Sequence, residues 1–371
     1  NTSNYDLNGT GSSSLQGFRP TRLGNIDTKW ETQKTTNVGF DASLFNSKLQ
    51  VSFDWYKKES EDLLVTVPLP SIYGAASAPA VNVGNMKNTG VDLQLDYRTN
   101  ITSDLGFDAT LTFTTYNNEI VKFTDDIDFF DSGGSRIGGF NRNEVGHSIS
   151  EFYGYNVLGL FQSQADVDAS ATQDGAEPGF FKYADTNGDG EITPDDRVYI
   201  GNPNPDFTYG LNLGLTYKNF DLSAFFFGSQ GNDIFNYNRW WVDFWPSFQG
   251  QKSKDLLNNS WTPDNPNATT PKASNKSNFS TNTVSNSYYV EDGSFLRLRN
   301  LQIGFTLPES VASSIGLSNV RLYVQGTNLF TVSDYSGLDP DINNGGDTAF
   351  GVDEGNYPLV KQYLVGLHVG F

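Results

Sequence analysis

Apolar and polar residues alternate with a period of two along much of this chain. The last stretch, 361–371, shows it best: Tyr363, Val365, Leu367, Val369 and Phe371 alternate with Gln362, Leu364, Gly366, His368 and Gly370. Successive side chains of a strand point to opposite faces, so this stretch predicts one apolar face and one mostly small or polar face. The same alternation marks 36–44, 49–56, 91–98, 105–113 and 207–217, whereas 221–228 is apolar on both faces. In 295–307 the apolar phase slips near Arg299 and Asn300, which predicts a β-bulge. Val320, Leu322 and Val324 open a further strand.

The connections between these strands alternate in length. Short ones fall at 45–48, just before Leu105, at Lys218 and Asn219, and at 308–317, where one helical turn is expected. Long ones fall at 59–88 (around Pro68 and Pro70), 117–205, 229–293 and 333–358. Phe152 to Phe161 (FYGYNVLGLF) reads as local structure inside the second of these, and the Ser, Asn and Gly-rich 1–16 reads as the middle of a loop. That leaves about nine spanning strands, with short turns on one side and long loops on the other, as in outer-membrane barrels with periplasmic turns and extracellular loops. Several strands approach the roughly nine to eleven residues that a tilted membrane strand needs. The expected fold is therefore all-β: an antiparallel transmembrane β-barrel, present in part, whose last strand runs toward the periplasm. An odd count leaves open edges, and bacterial single-chain barrels have even counts. The remaining strands are thus expected upstream of Asn1. A soluble β-sandwich or propeller is the competing fold, because alternation marks any half-buried sheet. Asp41, Asp54, Asp92, Asp96 and Asp108 on the non-apolar faces suit a polar barrel interior and a solvated sheet equally.

Composition changes this picture little. No apolar run approaches the roughly 18 residues of a transmembrane helix, but barrel strands leave only a weak hydropathy signal. The formal net charge of −19 argues against nucleic-acid partners. There is no cysteine, which removes disulfides and thiolate metal sites. The chain starts at Asn1 without a basic and apolar leader, so it reads as a processed or incomplete piece of something longer.

The most specific local signal runs from Asp185 to Asp196, DTNGDGEITPDD. Asp185, Asn187 and Asp189 occupy positions 1, 3 and 5 of a twelve-residue calcium loop, with Gly190 at the sharp turn of position 6. The Glu191 carbonyl would serve at position 7 and Asp196 at position 12. Oxygen ligands on a flexible loop suit Ca²⁺ better than Mg²⁺. Asp at position 12 resembles a dockerin-type loop, and the absence of long flanking helices points to a structural ion. The alternative is an acidic turn without metal. His147 and His368 are the only histidines, so a catalytic triad or a histidine zinc site has little support and no catalytic residues are expected. Tyr237, Trp240, Trp241, Phe244 and Trp245 crowd one loop. They would stack on a sugar or peptide substrate, form a membrane girdle, or make a small core inside the loop.

Several segments together resemble the carboxyl-terminal part of SusC/RagA-like TonB-dependent transporters of Bacteroidetes outer membranes. They are GFRPTRLGNIDTKWET (17–32), NVGNMKNTGVDLQLDY (82–97), VGHSISEFYGY (145–155), YADTNGDGEITPDDRVYIGNPNPDFTYGLNLGL (183–215), YVEDGSFLRLRNLQIGFTLP (289–308) and VRLYVQGTNLFTVSDYSGLDPD (320–341). The resemblance covers nearly all of 1–371 in the family's order. It implies roughly the last nine strands of a 22-stranded barrel, with 162–205 as an extracellular insertion carrying the calcium loop. The plug, the TonB box and the first barrel half would lie outside this sequence. It further implies import of oligosaccharides or oligopeptides driven by TonB through the plug. A SusD-like lipoprotein lid, the rest of the barrel and outer-membrane lipid would be the partners. The terminal Phe371 would double as a signal for the insertion machinery. A passive porin and a soluble, calcium-stabilised carbohydrate-binding β-protein are the competing functions.

Overall fold

The computed structural model describes residues 2–6, 14–18, 25–66, 80–123, 127–342 and 345–371. Its main feature is one nine-stranded antiparallel sheet. The strands are β1 (Thr32–Leu44), β2 (Leu49–Thr66), β3 (Ala80–Asn100), β4 (Leu105–Phe123), β5 (Phe207–Tyr217), β6 (Phe220–Gln230), β7 (Phe295–Thr306), β8 (Asn319–Ser333) and β9 (Gln362–Gly370). Each pairs with its neighbours in the chain, so the sheet is an up-and-down meander with β1 and β9 at its edges.

Register makes the sheet two-faced. One row across it reads Ala42, Val51, Leu95, Leu111, Leu211, Phe226, Leu298 and Phe330. The neighbouring row reads Asp41, Ser52, Gln94, Thr112, Gly210, Phe227, Arg297 and Thr331. The apolar rows are not covered by a second layer: Tyr363, Val365 and Leu367 are 79%, 73% and 65% exposed. A sandwich would bury that face. An uncovered apolar face of this extent marks an interaction surface, and it suits a lipid-facing wall better than the interior of a sandwich. Among the described residues no helix is long and apolar enough to cross a membrane.

The polar rows line the opposite, lumenal face. There Ser52 and Asp41 share a hydrogen bond of 2.6 Å, and Thr110 and Thr114 donate to Asp96 and Asp92. His368 lies on this face opposite Arg321, as expected, and Arg321 pairs with Asp221. The Tyr323 ring lies over Gly366, where a Cβ would fall 2.2 Å from its Cζ. The slip in β7 is a register shift between Leu298 and Asn300, matched on β6 between Phe225 and Phe226. The helical turn after β7 is Glu309–Ser314.

Three expectations need correction. The loop expected over 59–88 is largely strand, because β2 runs to Thr66 and β3 begins at Ala80; Pro68 and Pro70 lie outside the described residues. The strand β4 likewise continues to Phe123, beyond the expected loop start at 117. Above the apolar band these strands carry charge on both faces, which hides their period. Cross-strand charge pairing replaces apolar packing there: Lys34 with Glu61 at 2.6 Å and Lys87 with Glu119 at 2.8 Å. Within 1–16, Thr2–Asp6 pairs antiparallel with Ser14–Phe18, a short hairpin rather than featureless loop.

The long connections, at the strand ends away from the short turns, build a cap. Phe129–Ser132, Asn141–Glu144, Glu151–Tyr155 and Arg197–Gly201 form one sheet; Val157–Leu160 pairs with Phe181–Tyr183. Asp233–Asn236 lies between Val290–Asp292 and, in parallel, Val352–Asp353. Phe140, Phe152, Phe181, Phe235, Tyr289 and Val352 share one buried core drawn from three different connections. The insertion 162–205 is packed into this shared core through Phe181 and Tyr183.

Candidate functional site

The loop from Asp185 to Asp196 is wound tightly by its own side chains. Asp185 accepts the Gly188 and Gly190 N–H groups at 2.7 and 2.9 Å; Asn187 accepts from Asp189 at 2.9 Å and Asp189 from Glu191 at 2.8 Å. Gly188 and Gly190 have φ of 76° and 88°, a left-handed conformation that glycine adopts without penalty. Asp196 is fully buried and closes the loop, accepting Thr186 N–H at 2.8 Å and Thr193 N–H at 2.7 Å. Burial pushes its carboxyl upward, but the N–H groups of Thr193, Thr186 and Asn187 outweigh this and hold it below the ordinary carboxylate range. The loop is fastened to the cap at Thr172, which bonds to both Gly190 and Ile192.

The structure therefore brings Asp185, Asn187 and Asp189 together in one turn and gives Asp196 to loop closure. Among the described residues no group of three or more acidic or histidine side chains closes on one point. A carboxylate oxygen holding one N–H keeps a second lone pair, so the oxygen set of Asp185, Asn187, Asp189 and the Glu191 carbonyl fits a hard cation in type.

The aromatic candidates separate into two groups. Tyr237, Trp240 and Phe244 belong to the cap core, with Trp240 Nε1 donating to Asn282 O at 2.7 Å. Trp241 packs edge-on against Trp240 at 4.7 Å between centroids, with the Arg136 guanidinium 5.3 Å from its ring. Of the five only Trp245, half exposed, offers a broad free face. His147 is held by Glu151 at 2.9 Å and stacks on Tyr199 at 3.8 Å, a structural role.

A site that alternation did not reveal lies at the mouth of the lumen. Arg297, 1% exposed, donates to Thr331 at 2.9 Å, to Asp341 at 3.1 Å and to Asp339. Arg299 also donates to Asp341, at 2.9 Å, and its guanidinium lies 4.1 Å from the Phe227 ring. Asp339 accepts two more N–H groups, from Asp341 and Leu359, each at 2.9 Å. These bonds strap the connection between β8 and β9 onto the lumenal wall. Beside the strap is a cavity of about 510 Å³ lined by Arg299, Asn328, Asp339, Asp341, Asn356, Tyr357 and Leu359. Higher in the same connection, burial and the Asp353 carboxylate raise the Tyr335 phenol well above its ordinary value; the two groups share a 2.6 Å hydrogen bond. The alternating pairs in FLRLRN and the acids in GLDPD were both visible in sequence, but nothing local joined them.

The model of the family described as TonB dependent receptor-like, beta-barrel matches residues 2–329. The chain belongs to this family. TonB-dependent receptor P3 of Formosa agariphila is 37% identical over 97% of the chain, and TonB-dependent receptor SusC of Bacteroides thetaiotaomicron is 26% identical over 94%. The chain spans 36% and 32% of the length of these two relatives. A solved structure of the RagAB peptide transporter superposes on the whole chain with a TM-score of 0.79 and 28% identity, over 38% of its own chain. The closed-closed state of the RagAB peptide importer gives 0.77 at the same identity, also over 38% of that chain. The nine-stranded sheet is thus barrel wall of the SusC/RagA type, and its exposed apolar rows face the lipid of the outer membrane. The family consists of transporters, not enzymes.

Proposed function

We propose that this chain supplies barrel wall and extracellular cap to a TonB-dependent importer of oligosaccharides or oligopeptides. In this reading a SusD-like lipoprotein covers the cap, and TonB drives transport through a plug held by the rest of the barrel. The observation that carries it is the superposition of the whole chain, wall and cap together, on the RagAB peptide transporter. The polar lumenal rows support it, because a hydrated oligomer crosses a wall of Asp, Thr, Gln and Ser side chains without losing its hydrogen bonds. Uptake of labelled oligomers by cells tests it. Deleting this protein or TonB is expected to abolish uptake to the same extent. Uptake that survives without TonB would identify a passive porin instead.

We further propose that Asp185, Asn187, Asp189 and the Glu191 carbonyl hold a structural Ca²⁺, with Asp196 as the residue that closes the loop around it. Calorimetric titration of the purified transporter is expected to show one calcium lost in Asp189→Ala. No heat at millimolar Ca²⁺ in the wild type would refute the site.

A further inference from the structure

We infer that the segment 336–341, which carries the strap acids, is a fixed lip over the lumenal face of β7 and limits the width of cargo that the mouth admits. This rests on the importer reading above and adds to it a determinant of cargo size. Arg297 is the residue that positions the lip.

The chain leaves β8 at Ser333, which pairs with Phe295 at the head of β7. It then turns back over the lumenal face instead of continuing away from the wall. Asp339 and Asp341 meet Arg297, and Asp341 also meets Arg299 two residues further down β7.

Burial shows that this chain lies inside the mouth. Arg297 stands in the lumenal row with Asp41, Gln94 and Thr112, yet only 2% of its side chain is exposed. Arg321, on the same face and also paired with a carboxylate, keeps 25% of its side chain exposed. A side chain aimed at a hydrated lumen is sealed to that degree only where other chain covers it. The residues that meet the Arg297 guanidinium from the lumenal side are Asp339 and Asp341.

The segment is fastened at each end and in the middle. Glu291, from the connection between β6 and β7, accepts the Ser336 N–H and hydroxyl, each at 2.8 Å. Asp339 accepts the Leu359 N–H at 2.9 Å, which ties the lip to the limb that returns to β9. Pro340 fixes φ between the two acids. Two guanidinium groups meet two carboxylates, so each charge is matched, and removing one leaves its partner uncompensated. A hinged gate needs one free limb, and this segment has none.

The test uses the whole transporter with the subunits that accompany it. Hydrogen exchange reads the lip, because the N–H groups of Asp341 and Leu359 both end on Asp339. Their exchange is expected to be slow in wild type and about tenfold faster in Arg297→Met. In cells, the ratio of bulky branched to thin linear labelled oligomers taken up in a TonB-dependent manner is expected to rise about tenfold in the same variant. Arg297→Lys keeps the charge without the planar fork and is expected to fall between the two. Arg321→Met, on the same face and away from the lip, is the control and should move neither readout. Should Arg297→Met fail to assemble, Asp341→Asn leaves the pair of Arg297 and Asp339 in place and is expected to shift both readouts in the same direction by less. Unchanged exchange in these variants overturns the fastening by Arg297. Faster exchange with an unchanged size ratio overturns the limit on cargo. Faster exchange with loss of all uptake makes the segment a moving part and overturns the fixed lip. Loss of TonB dependence defeats the importer reading instead and leaves the exchange result standing.

Discussion

The strand β9 and the cap core both carry rows of large apolar side chains, yet Val365 is 73% exposed while Phe235 has no exposed surface. In the wall the apolar side chains leave the protein altogether, because lipid is their solvent, and the backbone is satisfied by ladder bonds alone. In the cap the surroundings are water, and the same residue types turn inward. Phe140, Phe152, Phe235 and Tyr289 pack with ring centroids 4.5 to 5.7 Å apart. Burial therefore cannot rank importance across this molecule. In the wall an exposed valine is in its proper place, and in the cap an exposed aromatic such as Trp245 stands out.

The contrast can be broken from either side. The largest effect is expected in the cap, where Phe235→Ala leaves a cavity in a closed aromatic core and costs about 3–5 kcal/mol. Limited proteolysis should then cut the cap while the wall keeps its heat-modifiable mobility on gels. Next is Val365→Arg, which places a charge in the lipid-facing row near the middle of β9 and costs about 2–4 kcal/mol. Gln325→Arg on the lumenal row of β8 should cost below about 1 kcal/mol. Urea unfolding in lipid vesicles separates the two, and equal costs would show that the faces are misassigned. The smallest effect is expected for Lys87→Ala. Its pair with Glu119 is about one-third exposed, and removal should change stability by less than about 1 kcal/mol in the same assay.

The wall was legible in sequence because most of its strands state their face every second residue, and 221–228, apolar on both faces, was marked by the tight turn before it. The strands and the irregularity at Arg299 and Asn300 followed from that period, and the up-and-down arrangement from the alternation of short and long connections. The tops of β2, β3 and β4 were not legible, since Lys57, Glu59, Lys87 and Glu119 stand on the face that is apolar lower down, which ends the alternation above the apolar band. The cap was not legible for a different reason. Its strands have two to five residues, and their partners lie far along the chain, as Phe235 with Val352. The strap was hidden in the same way: Arg297 and Asp339 are 42 residues apart, and neither declares its partner. The aromatic run at Tyr237 was visible, but only the fold shows that Tyr237 and Trp240 serve the core and that Trp245 is the ring of that run left open.

The parallel pairing of Phe235 and Asn236 with Val352 and Asp353 also has a consequence for the order of assembly. A core that needs residue 352 cannot be completed while the chain up to β8 is being laid into the membrane. Until then the core shared by the connections that follow β4 and β6 stays incomplete, although the sheets within each connection need nothing beyond it, and the cost of closing the long loops is met only at the last step. Wall formation is local and runs from hairpin to hairpin, whereas cap formation has high contact order and is slow. The cap is therefore a late-closing seal, and its formation reports that the strands beneath it have been inserted in the right sequence.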